Sequence, residues 1–283
     1  MAKTVNSTYE LSNGVLVPVV GYGTWQAAGK VAEDAIVCAI EAGYRHIDTA
    51  SMYKNEEAIG RGIKASSVSR QEIFLTTKLW NDVITYDEAR QSLEASLARL
   101  DFDYVDLLLI HWPASSAFRN NWQERNAVVW RYLEDALEAG KVRAIGVANF
   151  HPHHMDALLK TAKIKPMVNQ IHFSPSDPQE KVFNHNKKLG ILTQGYSPLG
   201  KGTFLMEPKL VEIAQKYGKD SAQISLRWSL QKGVNPLPKS TTPSRIKSNL
   251  KLFDFELTDH DMEIIDQLIG TGMKAPNPDE VEF

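Results

Sequence analysis

A single closed (β/α)8 TIM barrel, with an N-terminal β-hairpin and two extra helices, is the α/β fold this sequence predicts. Three observations lead there. Short apolar runs alternate with helical patterns along nearly the whole chain, giving eight strand–helix units. Several of those runs are continuously apolar rather than alternating, as a parallel sheet covered on both faces requires. The chain of 283 residues is 43% hydrophobic, enough for one such barrel, and no Pro-, Gly- or Ser-rich linker divides it. One domain over 1–283 is therefore expected.

The elements follow in order. Residues 8–18 read as a hairpin turned by Asn13-Gly14. A short strand is expected at 19–23, then a helix at 31–42 ended by Gly43, where a left-handed glycine commonly stops helices. Strands at 45–48, 73–78 and 105–110 alternate with helices at 55–64, 87–99 and 124–139. A strand at 142–149 precedes a helix after Pro152; a strand at 167–171, a helix at 179–188 and a strand at 191–196 continue the alternation. The last third carries helices near 207–217 and 220–231, a strand at 234–237, and helices near 243–250 and 259–269. A doubly wound sheet is the competing architecture, and its dinucleotide fingerprint has two near matches. Gly21-Tyr-Gly23 follows a strand but lacks the third glycine, and Gly60-Arg-Gly62 ends a helical run instead of linking strand to helix.

Bulk properties exclude several partners. A net charge of −2 and a pI near 6.5 give no electrostatic case for nucleic acid or an anionic membrane surface. No apolar run reaches membrane-spanning length, and the first residues lack the apolar core of a leader. The single cysteine, Cys38, excludes an intrachain disulfide and reads as an inert thiol on a buried helix face. A cytoplasmic protein is the expectation.

Barrels of this kind hold their active sites at the C-terminal ends of the strands. Asp48, Lys78 and His111 all fall at such ends, and Tyr53 lies in the loop after Asp48. A phenol titrates near 10, so as a general acid it gains from an ammonium that favours its phenolate. Lys78 can supply that charge, Asp48 can hold Lys78 charged and oriented, and His111 can hydrogen-bond a substrate oxygen. The set suits protonation of a carbonyl oxygen as it gains negative charge. It holds no electron source, so a hydride must come from a cofactor.

These residues carry a resemblance to the aldo-keto reductases, of the bacterial type similar to 2,5-diketo-D-gluconate reductases. It spans the hairpin, Gly43-Tyr-Arg-His-Ile-Asp48-Thr-Ala with Tyr53 and Asn55-Glu56, Lys78, His111-Trp112-Pro113, and Pro238-Lys239-Ser240 with Arg245 and Asn249. The resemblance implies a barrel that binds NADPH without a Rossmann motif and reduces aldehydes or ketones to alcohols. Tyr53 would then be the acid, tuned by Lys78 and Asp48, with His111 orienting the carbonyl. It further implies that Asn149 and Gln170 bind the nicotinamide carboxamide, that Tyr196 stacks on the ring, and that Thr24 and Asp48 lie near its ribose. Ser197 to Gly200, including Leu199, would surround the pyrophosphate. Lys239, Ser240, Thr241 and Arg245 would grip the adenosine 2′-phosphate, and Asn249 would touch adenine. Cations and hydroxyls at the start of a helix do make a phosphate site. Ala148 and Ser248 depart from the family, which commonly has serine and glutamate there; both bear on cofactor affinity. Trp25, Trp80 and Trp112 would line the substrate pocket. A short segment after Pro113 and a short tail after Gly270 imply an open site. Family habit points to a monomer acting on a small carbonyl substrate.

Two other readings remain in view. One is a cofactor-binding regulatory subunit on the same fold with little turnover. The other is a metal-dependent barrel enzyme, which needs clustered ligands at strand ends, and none is visible. His151, His153 and His154 are adjacent with no nearby cysteine or glutamate pair, a spacing that argues for surface histidines at a helix start and against zinc. No metal is expected. His46 and His172 read as structural.

Overall fold

The computed structural model describes residues 4–283 and carries the expected alternation. Strands β1 (Thr8–Glu10) and β2 (Leu16–Pro18) form the hairpin. The parallel strands are β3 (Tyr22–Gly23), β4 (His46–Asp48), β5 (Phe74–Leu79), β6 (Val105–Ile110), β7 (Val142–Ala148), β8 (Val168–His172), β9 (Leu192–Tyr196) and β10 (Asn235–Leu237). Between them run helices α1 (Gly29–Ala42), α2 (Glu56–Ala65), α3 (Tyr86–Leu100), α4 (Trp122–Glu138), α5 (Pro152–Leu158) and α6 (Glu180–Leu189). After β9 come α7 (Pro208–Tyr217) and α8 (Ser221–Gln231); after β10 come α9 (Pro243–Ser248) and α10 (Asp259–Asp266). Two helices thus exceed one per strand, as the pattern predicts.

Each strand from β3 to β10 pairs in parallel with the next. The ring closes where Gly21 N donates to Pro236 O and Gly23 N to Pro238 O, both at 3.0 Å. A Cβ at Gly21 would lie 2.4 Å from Leu237 Cδ2 and 2.6 Å from His46 Nδ1, so the seam requires a residue without one. The other near-fingerprint glycines serve helix packing. A Cβ on Gly60 would meet the Leu100 carbonyl oxygen at 2.1 Å, and one on Gly62 the Glu33 oxygen and the Ile36 side chain at 2.8 Å.

β3 is shorter than the expected 19–23 because Val19 N turns away to bond Ser7 O at 3.1 Å. Asn13 and Gly14 lie in the hairpin turn as expected, within a loop longer than two residues. A two-residue type I′ turn needs positive φ at both positions. Only Gly14 has it, at +82°, and Leu11 N reaches Val15 O at 2.9 Å around a longer loop. The hairpin plugs the N-terminal end of the barrel. Tyr9 Oη donates to Val234 O at 3.3 Å, Asn13 Nδ2 to Arg143 O at 2.9 Å, and Asn235 Nδ2 to Pro18 O at 3.0 Å, with Val17 fully buried between. The opposite end stays open for chemistry. Cys38 is half-buried on α1 rather than in the core. Among the described residues no helix is long and apolar enough to cross a membrane.

Candidate active site

The C-terminal mouth of the barrel holds a cavity of about 600 Å³. At its base β4 and β5 lie side by side, with His46 opposite Phe74 and Asp48 opposite Thr76. That register delivers Lys78 from β5 onto Asp48. Lys78 Nζ donates to Asp48 Oδ1 at 2.6 Å, to Thr49 O at 3.0 Å and to Tyr53 Oη at 3.3 Å. Tyr53 ends a 3₁₀ turn, Ser51–Tyr53, pinned by Ser51 Oγ to Lys78 O at 3.0 Å. The second Asp48 oxygen accepts from Gln170 Nε2 at 2.7 Å, and the same nitrogen reaches Gln194 Oε1 at 3.2 Å. The carboxylate is therefore fixed from both sides.

Electrostatics follow from burial. Desolvation pulls the Lys78 ammonium towards neutrality, but Asp48 and Tyr53 outweigh it, and its pKa lies above the ordinary lysine value. Burial likewise raises the Tyr53 phenol; Lys78 pulls the other way without prevailing. The Lys78 ammonium thus favours the phenolate, and desolvation outweighs it. His111 is held well below the usual imidazole range, first by burial and then by the Lys78 charge. It is a neutral ring at pH 7. Its edge faces Tyr53 at 5.8 Å and Trp80 at 5.0 Å, and Nδ1 is buried without a partner among the described residues.

The expected cofactor residues divide into two groups. Thr24, Asn149, Gln170, Tyr196, Ser197, Leu199 and Lys239 line the cavity with Asp48. Thr24 Oγ1 donates to Asp48 O at 2.9 Å. Tyr196 Oη donates to Asn149 Oδ1 at 2.9 Å, and Asn149 Nδ2 to His111 O at 3.0 Å. Ser240, Thr241, Arg245 and Asn249 lie outside the cavity wall, farther along the segment that Lys239 begins. Ala148 is buried in β7, and Ser248 Oγ turns back to Arg245 O at 3.3 Å. α9 ends at Ser248, earlier than the expected residue 250.

The three tryptophans Trp25, Trp80 and Trp112 all line the cavity. Around them are residues that sequence reasoning missed: Gln26, Met52, Lys201, Leu237, Met273, Pro276 and Phe283. Lys201, between two glycines just past the expected pyrophosphate loop, offered a local signal. The tail residues offered none, since only long-range docking places them. Backbone strain also gathers here: Gln26, Lys54, Asn149, Ser197 and Lys201 all have φ between +48° and +62°, a region that costs non-glycine residues on the order of 1 kcal/mol each and clusters at functional sites.

The short tail reaches the site. Phe283 stacks on Trp80 at 5.6 Å and meets Trp112 edge-on at 5.2 Å. Arg119 Nη2 donates to Val281 O at 2.6 Å, and Ser116 Oγ to Glu282 O at 3.0 Å. Short as they are, the segment after Pro113 and the tail bind each other across the mouth. The histidine cluster needs correction. His154 is fully buried rather than at the surface, while His151 is half-buried and His153 exposed. His46 sits in the barrel interior, bonded to Thr76 Oγ1 at 3.1 Å, and His172 is fully buried at the end of β8.

Residues 19–270 match the family model described as the aldo/keto reductase family. The chain belongs to the aldo/keto reductase family. It is 44% identical to glyoxal reductase of Bacillus subtilis over the full length of both. Identity to methylglyoxal reductase DkgA of Yersinia pestis is 42%, over 98% of each chain. A solved structure of a Bombyx mori aldo-keto reductase in complex with NADP superposes with a TM-score of 0.86 at 35% identity, covering 96% of this chain and 94% of that one. As an aldo-keto reductase the chain is an oxidoreductase of carbonyl compounds on a TIM barrel.

Proposed function

We propose that this protein reduces small aldehydes, of the glyoxal and methylglyoxal type, with NADPH. The observation that carries the reading is the contact of Tyr53 Oη with Lys78 Nζ at 3.3 Å, with Asp48 behind the lysine and neutral His111 beside the phenol. A group that must donate a proton near neutral pH has to hold one there, and burial keeps Tyr53 protonated. As the proton leaves, the Lys78 ammonium stabilises the phenolate. His111, uncharged, orients the carbonyl oxygen towards Tyr53. The names of two relatives, a glyoxal and a methylglyoxal reductase, support the small-aldehyde class.

The residues present fit a nicotinamide dinucleotide. Gln170 Oε1 accepts no hydrogen bond among the described residues, leaving an acceptor for a carboxamide beside the donors of Asn149. Lys239 and Arg245 have no acidic partner among the described residues, so both cations are available to a 2′-phosphate. When bound, the nicotinamide supplies the hydride. Tyr196 and Ser197 wall the cavity where the ring and pyrophosphate would lie, and Trp25, Trp80, Trp112 and Phe283 give the rest an aromatic lining.

The test is NADPH oxidation with glyoxal, methylglyoxal and a wider panel of aldehydes and keto-sugars. Tyr53→Phe should lower kcat by roughly 10²–10⁴, the usual contribution of a general acid, with NADPH affinity kept. Arg245→Ala should weaken NADPH at least about tenfold, the lower end for a charged hydrogen bond, and leave NADH unchanged. Tight NADPH binding without turnover on any carbonyl would overturn the reading in favour of a regulatory subunit.

A further inference from the structure

The tail residue Asp279 meets the histidine cluster across more than a hundred residues of sequence. One donor atom each from His151, His153 and Asp279 lie within 4.8 Å of one another. We propose that these three side chains bind a first-row transition-metal dication, zinc foremost, which fastens the tail over the cavity mouth. The spacing of the histidines alone argued against zinc; the missing ligand comes from the tail.

The geometry already prepares the carboxylate. His154, fully buried, accepts the His151 backbone N–H at Nδ1 (3.2 Å), so its proton is on Nε2 and donates to Asp279 Oδ1 at 2.9 Å. The ring cannot turn freely, because Trp122 packs edge-on against it at 4.7 Å. An outer histidine that orients a ligating carboxylate is the kind of support metal sites use. Asp279 Oδ2 has no hydrogen-bond partner among the described residues and is left for the ion. His153 Nε2 stands 3.2 Å from Oδ1 and is exposed, so its ring can rotate to ligate. Zinc–nitrogen bonds of about 2.0–2.1 Å place tetrahedral donors roughly 3.4 Å apart. Closing from 4.8 Å therefore takes a movement on the order of an ångström, within reach of that ring and of the tail.

Two imidazoles and one carboxylate leave a fourth position for water, and this donor set prefers zinc, cobalt, nickel or copper to magnesium or calcium. The consequence lies in the tail. Asp279 falls between Pro276 and Phe283, both of which line the cavity. Other ties hold the tail nearby: Ala275 N donates to Asp177 Oδ2 at 2.6 Å, and Arg119 holds Val281 O. A metal at Asp279 would add a fastening between them, whatever reaction the cavity performs.

The full chain, stripped with a chelator, would be titrated with Zn2+ by calorimetry and with Co2+ by visible absorption, with Mg2+ as a control. His153→Ala and Asp279→Asn alter partly exposed side chains, and His260→Ala is the off-site control, with melting curves to verify folding. We expect one Zn2+ per chain, affinity lowered at least tenfold by either site variant and unchanged by the control. Amide exchange over 275–283 should slow on Zn2+ addition in the parent protein and not in Asp279→Asn. No zinc binding, binding indifferent to both variants, or binding that leaves tail exchange unaltered would each overturn the proposal.

Discussion

Lys78 is a fully buried ammonium whose position depends on three acceptors, and its removal separates electrostatic support from packing. Lys78→Met leaves Asp48 enclosed with only Gln170 to satisfy it. Breaking a buried ion pair from one side typically costs about 3–5 kcal/mol, because the surviving charge is uncompensated. Denaturant titration should show that loss. Asp48→Asn in the same background should restore part of it, since the neutral amide needs no cation. Equal stability of the single and double variants would contradict this account. Asn55 and Glu56 play a different part. Asn55 Nδ2 holds Thr24 O and Ala27 O, both at 2.9 Å, and Glu56 joins Thr77 Oγ1 at 2.6 Å to Arg99 Nε at 2.8 Å. They belonged to the family motif, and what they do is tie the loops and helices behind the site.

Elements pack so closely in places that a single methyl group decides. Gly60 in α2 faces the last residue of α3, with space for no Cβ. In an exposed helix, Gly→Ala gains about 1 kcal/mol of propensity. Here overpacking against a backbone carbonyl, typically about 1–3 kcal/mol, should outweigh it. Gly60→Ala is thus expected to lower the melting temperature, and a rise would show that α2 shifts freely. The tail is the contrasting element. It has no regular structure, yet Arg119, Ser116, Asp177 and the Trp80–Phe283 stack hold it in place. Such an element has no local periodicity to read.

At the scale of the whole molecule, buried neutral histidines make stability depend on acid. Burial, then the Lys78 charge, pushes His46 down to about 3 and holds His111 well below its ordinary value. The unfolded chain would protonate both near 6.5. Their contribution to stability is therefore fully present above that pH and is lost as pH falls towards the folded values. For His46 alone the loss between pH 6.5 and 5 is roughly 2 kcal/mol, at 1.36 kcal/mol per unit. Denaturation midpoints measured from pH 7.5 to 5 should fall accordingly, and His46→Gln should flatten the slope. A midpoint independent of pH over that range would contradict the assignment of neutral rings.

How much of this was legible in the chain depends on the range of the interaction. Periodicity and capping act within a few residues, so the strand–helix alternation, Gly43 as the left-handed stop of α1 and the order of the eight parallel strands could be read directly. Asp48, Lys78 and His111 were legible as well, because a parallel barrel places every strand end on one face whatever the exact register. That Asn13 and Gly14 turn the hairpin was legible; the length of the loop was not, because it depends on φ at Asn13, which neighbouring sequence leaves open. What only tertiary structure decided rests on contacts between distant segments. Desolvation prevails over Lys78 at Tyr53, His154 is buried by Trp122, and the tail brings Phe283 onto Trp80 and Asp279 onto the histidines. Burial and docking are sums over many neighbours far apart in the chain, and no window of sequence contains them.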